Sequence, residues 1–319
     1  MNPDVARAIP EMVASGLLTP EQAAAALRPA RGEILSIRAE LRAVLYLGVL
    51  AVTTGVGFLL KENLDRIGPG TIALALGLAA VAILAWVERK APPFSWGKAA
   101  SPHLALDYLL LLGLLLVAAD LAYIEVKFTP LGANWVYHLL LVAALYGLAA
   151  FRYDARLIFS LALSTFAAWR GVAASRLGLP WEYSAAVVRW NAIAVGVFFL
   201  AFGWALRRFD RKAHFEPVAT WLGWLLILGA LATGIAESAT WAAWCLALLV
   251  VGTALAIVAA RLRRFGLFAL GVLAAYGALG RFVVEVVPAE EFGCLWFFGS
   301  SILLLVALIF SAHRFRKAA

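Results

Sequence analysis

Ten long apolar segments, separated by short polar turns, constrain the fold of this chain more than any other feature. They lie at roughly 41–60, 71–87, 104–125, 133–150, 157–175, 185–206, 217–235, 241–260, 265–284 and 293–312. Each is about long enough to cross ~30 Å of hydrocarbon at a rise of 1.5 Å per helical residue. The pattern predicts an all-α polytopic integral membrane helical bundle with about ten transmembrane helices.

Composition excludes a soluble globular class. Of the 319 residues, 64% are hydrophobic and only 14% are charged. A soluble domain is about half apolar and about a quarter charged, so this chain has too little polar surface to cover itself in water. The net charge of +8 is interpreted through loop orientation, and no nucleic-acid partner is expected. Membrane lipids are the expected surroundings.

The basic side chains predict the orientation of the bundle. If the N-terminus is cytoplasmic, twenty of the 27 Lys and Arg residues lie on the cytoplasmic side. The other side receives Lys61, Arg66, Lys127, Arg170, Arg176, Arg189 and Arg281. Because Lys and Arg accumulate in cytoplasmic loops, this bias predicts that both termini are cytoplasmic. The segments at 157–175 and 265–284 are the weakest candidates for a span because each carries an arginine. If one of them did not cross the membrane, the number of spans would be odd and the two termini would lie on opposite sides.

The first 38 residues are predicted to be a cytosolic helical hairpin followed by a linker, and residues 39–319 to be the transmembrane domain. Gly16 is a helix-stop residue, and the stretch after it has Thr19 as N-cap, Pro20 at the first helical position and Gln22 at the capping-box position. A hairpin of this size cannot hold a core alone, so it is expected to pack on the membrane domain or on a protein partner. No cleaved leader is expected, because the first long apolar run begins near Ala43.

Motifs of enzymatic chemistry are not found. The sequence contains no phosphate-binding loop, no HExxH, no nucleophile elbow and no GxGxxG. Its histidines are scattered at His103, His138, His214 and His313, and its two cysteines, Cys245 and Cys294, lie in apolar runs. These features predict a non-enzymatic protein with no catalytic residues, no cofactor and no metal site.

Seven polar residues from five helices share one depth near the predicted outer face. They are Asp120, His138, Arg170, Arg189, Asn191, Arg281 and Glu285. Ionisable residues are costly in lipid, so they face the bundle, pair with each other or line water. One interpretation is an outward-facing, net-positive polar cavity in which Asp120 or Glu285 pairs with an arginine and an anionic solute or lipid headgroup binds. The alternative is that they are helix-end side chains that reach to the interface.

These observations favour a transporter-like or channel-like bundle over an interaction protein. The alternative function is a membrane subunit or scaffold that docks to a larger complex through residues 1–38. The spans carry Gly55, Gly57 and Gly77 but no proline in any central span, which counts against a carrier built on broken helices.

The N-terminal third resembles a known bacterial family. The stretch VASGLLTPEQAAAAL contains Gly16, Thr19, Glu21 and Gln22, and the next span carries Gly48, Gly55 and Gly57. The turn that follows contains Asn63, Asp65 and Pro69 but lacks a tryptophan. This order is similar to that of the predicted membrane proteins of the domain of unknown function 2157 family. The resemblance implies a multi-pass protein of the bacterial cytoplasmic (inner) membrane and carries no catalytic residues.

Overall fold

Helices make up nearly all of the structure. The computed structural model describes residues 9–10, 12–27, 38–63, 68–97, 104–175, 181–236, 240–286 and 290–317. In these ranges the chain forms α-helices and two short 3-10 turns, with no β-strand. The prediction of an all-α fold is confirmed for this part of the chain. Residues 1–8, 11 and 28–37 of the predicted hairpin and linker lie outside it, as do Asp65, Arg66, His103 and Arg176.

Each predicted apolar segment overlaps one long helix. The helices are α1 (Pro20–Leu27), α2 (Arg38–Asn63), α3 (Pro69–Lys90), α4 (Leu104–Phe128), α5 (Tyr137–Tyr153), α6 (Arg156–Ser175), α7 (Trp181–Arg208), α8 (Glu216–Gly234), α9 (Trp241–Arg261), α10 (Phe265–Val286) and α11 (Glu290–Lys317). Within the described residues, six of these helices are long and apolar enough to cross a membrane, namely α3, α4, α7, α8, α9 and α10. Helices α2, α5 and α11 contain shorter apolar stretches at 43–55, 137–153 and 298–313. The number of ten spans therefore stays a prediction.

The short N-terminal helix α1 is capped as its sequence predicts. The Thr19 N–H donates to Gln22 Oε1 at 3.0 Å, and the Gln22 N–H donates to Thr19 Oγ1 at 3.2 Å. This reciprocal capping box satisfies two backbone donors that the first helical turn leaves free. The preceding helical turn stops at Gly16, whose φ of +73° is readily available only to glycine.

The helices divide into two compact units. The first comprises residues 1–90 and 102–123, and the second comprises residues 91–101 and 124–319. In the first unit, α3 and α4 pack through a small apolar cluster formed by Ile72, Leu76, Ala80 and Leu116. The rings of Tyr46 in α2 and Tyr108 in α4 meet edge to face with centroids 5.0 Å apart.

The second unit is built from helices that pack next to their neighbours in the chain. Its most extensive contacts join α9 to α10, α7 to α8 and α5 to α6. A buried core that includes Leu228, Leu231, Leu248 and Leu255 lies where α8 and α9 meet. The 3-10 turn at Ala213–Phe215 leads directly into α8, where Pro217 lies in the first turn and needs no backbone donor.

Large apolar side chains cover the outer faces of many helices. Leu74, Leu78 and Val81 of α3 are more than half exposed, and so are Ile302 and Leu303 of α11. Soluble monomers rarely expose apolar patches of this extent, whereas lipid tails accept them without cost. The helices therefore present the surface of a membrane-embedded protein.

Candidate functional site

The residues predicted to form a cavity are distributed over both units. Asp120 lies on α4 in the first unit, and the other six lie in the second. His138 is half-buried in the first turn of α5. Arg170 is exposed on α6, with its guanidinium carbon 5.6 Å from the centroid of the Trp169 ring. Asn191 is half-buried on α7, two residues after Arg189.

Arg189 is the most deeply buried of the predicted cavity residues. Its side chain on α7 is only 5% exposed, and its guanidinium carbon lies 4.8 Å from the centroid of the Trp244 ring. Its Nε donates a long hydrogen bond of 3.4 Å to Thr233 Oγ1 on α8. A cation over an indole face is attracted by the ring quadrupole, and this attraction grows as water is removed. The charge of Arg189 is thus held inside the helix packing.

Arg281 and Glu285 form an ion pair one turn apart on α10. Arg281 Nη1 lies 2.9 Å from Glu285 Oε2, and the guanidinium carbon of Arg281 lies 5.6 Å from the centroid of the Trp241 ring. Trp241 and Trp244 both belong to the first turn of α9. The structure therefore brings Arg189 and Arg281 to the same end of α9, each against a tryptophan of that turn.

A second polar cluster, which the sequence did not predict, lies at the opposite end of the same helices. Arg264, in the turn between α9 and α10, holds Glu216 at the start of α8 through two parallel hydrogen bonds. They run from Nη1 to Oε1 at 2.7 Å and from Nη2 to Oε2 at 3.0 Å. The Thr220 hydroxyl donates to Glu216 Oε1 at 3.0 Å. The bonds to Glu216 raise the pKa of Arg264 above its ordinary value, which keeps the guanidinium charged.

A cavity of about 290 Å³ opens beside this ion pair. Its polar lining consists of Arg207, Glu216, Thr220 and Arg264. The rest of the lining is apolar and includes Trp224, Leu255, Val258 and Leu267. Glu216 neutralises Arg264, so Arg207 leaves the cavity with a net positive charge. An apolar slot with a cationic end matches a ligand that has an apolar body and an anionic head.

A third cluster, also at this end, is built around a buried aspartate. Asp154 follows α5 with a φ of +61°, and its side chain is 3% exposed. Lys212 Nζ lies 3.1 Å from Asp154 Oδ1, and the His214 imidazole contacts the same carboxylate. The Lys212 side chain is 1% exposed, and its backbone N–H donates to the Trp96 carbonyl at 2.9 Å. This set ties the segment before α4 to the turn between α7 and α8, which is a structural task.

Sequence reasoning missed both of these clusters because their partners are far apart in the chain. Glu216 and Arg264 are separated by 48 residues, and Asp154 and Lys212 by 58. One signal was available: a carboxylate stands next to each of two basic turns, as Asp154 in FRYDAR and as Glu216 in RFDRKAHFEP. An acidic side chain at a basic helix end indicates a local ion pair, although it does not identify the partner.

Comparison with known proteins supports the resemblance inferred from the first span. Residues 10–159 match the model of a family described as "Predicted membrane protein (DUF2157)". No curated protein and no solved structure matches the chain. Together with the six apolar helices, the match identifies a multi-pass membrane protein.

Proposed function

We propose that this multi-pass membrane protein, whose residues 10–159 match a family of predicted membrane proteins, is a non-enzymatic, transporter-like bundle that binds an amphipathic anion. The observation that carries the proposal is the cavity of about 290 Å³ between α7, α8, α9 and α10, with Arg207 and the Arg264–Glu216 pair at its polar end. Its shape and charge suit either an anionic lipid or a free organic anion with an apolar tail.

The proposed topology gives this cavity an orientation. With ten spans and both termini in the cytoplasm of a bacterium, the Arg207 end of α7 faces inward and the Arg189 end faces outward. The positive-inside bias of the basic residues supports this arrangement in the cytoplasmic (inner) membrane. The outward polar cavity predicted from sequence then corresponds to the Arg189 and Arg281 end. The four helices thus carry cationic groups at both ends, which favours an anionic ligand over a cationic one.

The test uses the purified full chain in mild detergent. Retained molecules are identified by native mass spectrometry, and the delipidated protein is titrated with phosphatidylglycerol and separately with laurate. Arg207→Gln removes the net positive charge of the cavity, whereas the adjacent exposed Arg208, which is not part of its lining, provides the matched control Arg208→Gln. A hydrogen bond to a charged group contributes about 1.5–3 kcal/mol, so Arg207→Gln is expected to weaken binding about tenfold or more.

The outcome distinguishes the two sources of the anion. Tight binding of phosphatidylglycerol alone indicates a lipid site, and binding of laurate indicates a free organic anion. Equal binding by the Arg207→Gln and Arg208→Gln variants contradicts the proposal. Val258→Trp, which adds bulk to the apolar lining, must also reduce binding if the ligand occupies this cavity.

The alternative function is a membrane subunit or scaffold that docks through residues 1–38. It is favoured by the exposed apolar side chains of the N-terminal segment, where Leu17 is 71% exposed and Met12 is 42% exposed beside the alanine-rich helix α1. Affinity purification of the tagged chain is the test. A stoichiometric protein that is lost on deletion of residues 1–32 supports docking, and a chain that purifies alone contradicts it.

A further inference from the structure

In the first unit, the carboxyl group of Asp120 lies directly against the backbone of α3. A Cβ atom placed on Gly77 would lie 3.1 Å from Asp120 Oδ2, which is closer than nearly all real Cβ contacts. Gly77 thus leaves the space that the carboxyl group occupies. Asp120 lies eight residues, or about 12 Å, from the nearer end of the candidate span Ala105–Phe128. The side chain is too short to reach the interface from that depth.

Two buried polar atoms accompany this contact. Asp120 Oδ1 and the Tyr123 hydroxyl are both buried, and neither has a hydrogen-bond partner among the described residues. The two residues are three apart on α4, so they share a helix face. Buried polar groups are almost always hydrogen-bonded, so two unpartnered atoms on one helix face require an explanation.

Among the described residues of α3, those that pack on α4 beside Asp120 carry no charge. The face of α3 that packs on α4 is apolar at Ile72, Leu76 and Ala80. The charges at the end of α3 begin at Glu88, eleven residues and about 16 Å beyond Gly77.

Apart from Tyr123, the described titratable groups on the same helix lie five or more residues from Asp120. Asp107 and Tyr108 stand more than three turns before Asp120, and Tyr108 packs on Tyr46 of α2. Beyond it, Lys127 lies in the last turn of α4, and Glu125 accepts the Leu131 N–H at 3.2 Å.

The number of oxygen atoms that Asp120 and Tyr123 offer decides which ligand can bind here. One carboxyl group and one phenol fall far short of the six to eight oxygens that Ca²⁺ takes. Among the described residues, no group of three His, Cys, Asp or Glu could hold a metal ion. A proton needs only a single base, and its binding removes the charge that lipid disfavours.

We infer that Asp120 is a reversible proton-binding site within the membrane, on the same helix face as the unpartnered Tyr123 hydroxyl. The protonated Asp120 carboxyl group is neutral and therefore fits the apolar packing between α3 and α4. When it ionises, it releases its proton to water. This inference goes beyond the proposed anion binding, because Asp120 lies in the other unit and does not depend on the cavity.

The test is carbodiimide labelling of the full chain in liposomes of phosphatidylethanolamine and phosphatidylglycerol. Dicyclohexylcarbodiimide enters lipid and reacts with protonated carboxyl groups, and peptide mass spectrometry locates the adduct. Labelling of Asp120 is expected to fall about tenfold or more from the lowest to the highest pH at which the chain stays folded, as the carboxyl group ionises. Asp120→Asn must lose the adduct, and Tyr123→Phe must shift the midpoint of the pH profile.

Glu125 provides the matched control because it lies on the same helix with its carboxylate engaged. The Glu125→Gln variant must keep the Asp120 labelling profile. The carbonyl stretch of a protonated carboxyl group, measured by infrared difference spectroscopy against Asp120→Asn, reports protonation without the reagent. Labelling that is independent of pH shows a permanently neutral residue and overturns the inference. The absence of both the adduct and the carbonyl band at every pH shows a permanently ionised residue and overturns it equally.

Discussion

The buried ion pair between Asp154 and Lys212 stabilises the end of the second unit where α7 leads into α8. Both side chains are almost fully buried and lie 3.1 Å apart. Removing one partner leaves an uncompensated charge in a medium of low polarity, whereas removing both does not. The stability of the turn between α7 and α8 therefore depends on the pair more than on either residue.

Lys212→Met is expected to lower the free energy of unfolding by about 3–5 kcal/mol, because it removes the ammonium group that compensates the charge of the buried Asp154 carboxylate. The double variant Asp154→Asn/Lys212→Met is expected to recover much of that loss, since asparagine tolerates the positive φ at position 154. Thermal unfolding in detergent measures both effects. Arg208→Met, which removes an exposed charge at the end of α7, is the control, and equal melting of Lys212→Met and Arg208→Met would contradict the prediction.

The capping box of α1 allows a second prediction at the residue scale. Thr19→Ala removes the oxygen that accepts the Gln22 N–H and is expected to cost about 1 kcal/mol of local stability. Hydrogen exchange of the first-turn amides of α1 should then quicken by roughly fivefold. Glu21→Gln changes a neighbouring charge and leaves the box intact, so its exchange should change far less. Unchanged exchange in Thr19→Ala would show that the box contributes nothing.

Residue-level features could be predicted from the sequence only where the partners are close in the chain. The Thr19–Gln22 box was predictable because its spacing of three residues is fixed by the helix. That Arg189 and Asp120 lie inside long helices could also be predicted, because each falls within an apolar run. Their contacts with Trp244 and Gly77 could not, because these depend on how separate helices rotate against each other.

At the scale of the helices, glycine contacts set how closely neighbours approach. A Cβ on Gly271 in α10 would lie 2.6 Å from the Gly252 carbonyl oxygen and 2.7 Å from the Ala256 nitrogen of α9. Gly196 and Gly223 form a similar contact between α7 and α8. Small residues that allow backbones to approach are a main source of helix association in lipid, where the hydrophobic effect between helices is absent.

Gly271→Ala is expected to separate α9 from α10 and to destabilise the fold by about 1–3 kcal/mol. Gly277 lies on the same helix, and a Cβ there would meet nothing within 4 Å. Gly277→Ala should therefore be neutral or stabilising by up to about 1 kcal/mol, because alanine favours the helix. The two melting temperatures in one detergent give the comparison, and a Gly271→Ala variant as stable as Gly277→Ala would refute the close approach.

The helices themselves were largely predictable, because an apolar run of about twenty residues has few other structures available in lipid. The segment predicted at 185–206 is α7, which spans Trp181–Arg208, and the segment at 241–260 is α9, which spans Trp241–Arg261. Differences lie at the ends, where α7 continues through polar residues such as Arg207 and Arg208. Hydropathy marks the part of a helix that contacts lipid, and helical hydrogen bonding extends beyond it.

At the scale of the whole molecule, the length of the apolar runs predicts which helices can cross the membrane. The basic turns predict the side of the membrane on which each helix end lies. Within the described residues, six helices are long and apolar enough to cross the membrane, while α6 carries Arg170 and α2 has a shorter apolar stretch. The bias of Lys and Arg predicts the side of each turn but not the packing of the helices. The division into two units was not visible in the sequence, because it arises from contacts among helices with similar composition.

The parity of the spans can be tested directly with single cysteines in a chain that carries Cys245→Ala and Cys294→Ala. Pro130 before α5 and Phe209 after α7 are both exposed, and three helices lie between them. If α5, α6 and α7 all cross the membrane, cysteines at 130 and 209 lie on opposite sides. A membrane-impermeant maleimide should then label position 130 in intact cells, and position 209 only after permeabilisation. Leu262, in the turn after α9, is exposed and should behave like position 209, because two further spans separate them. Labelling of 130 and 209 from the same side would mean that one of the three helices does not cross, and α6 with its arginine would be the first to test.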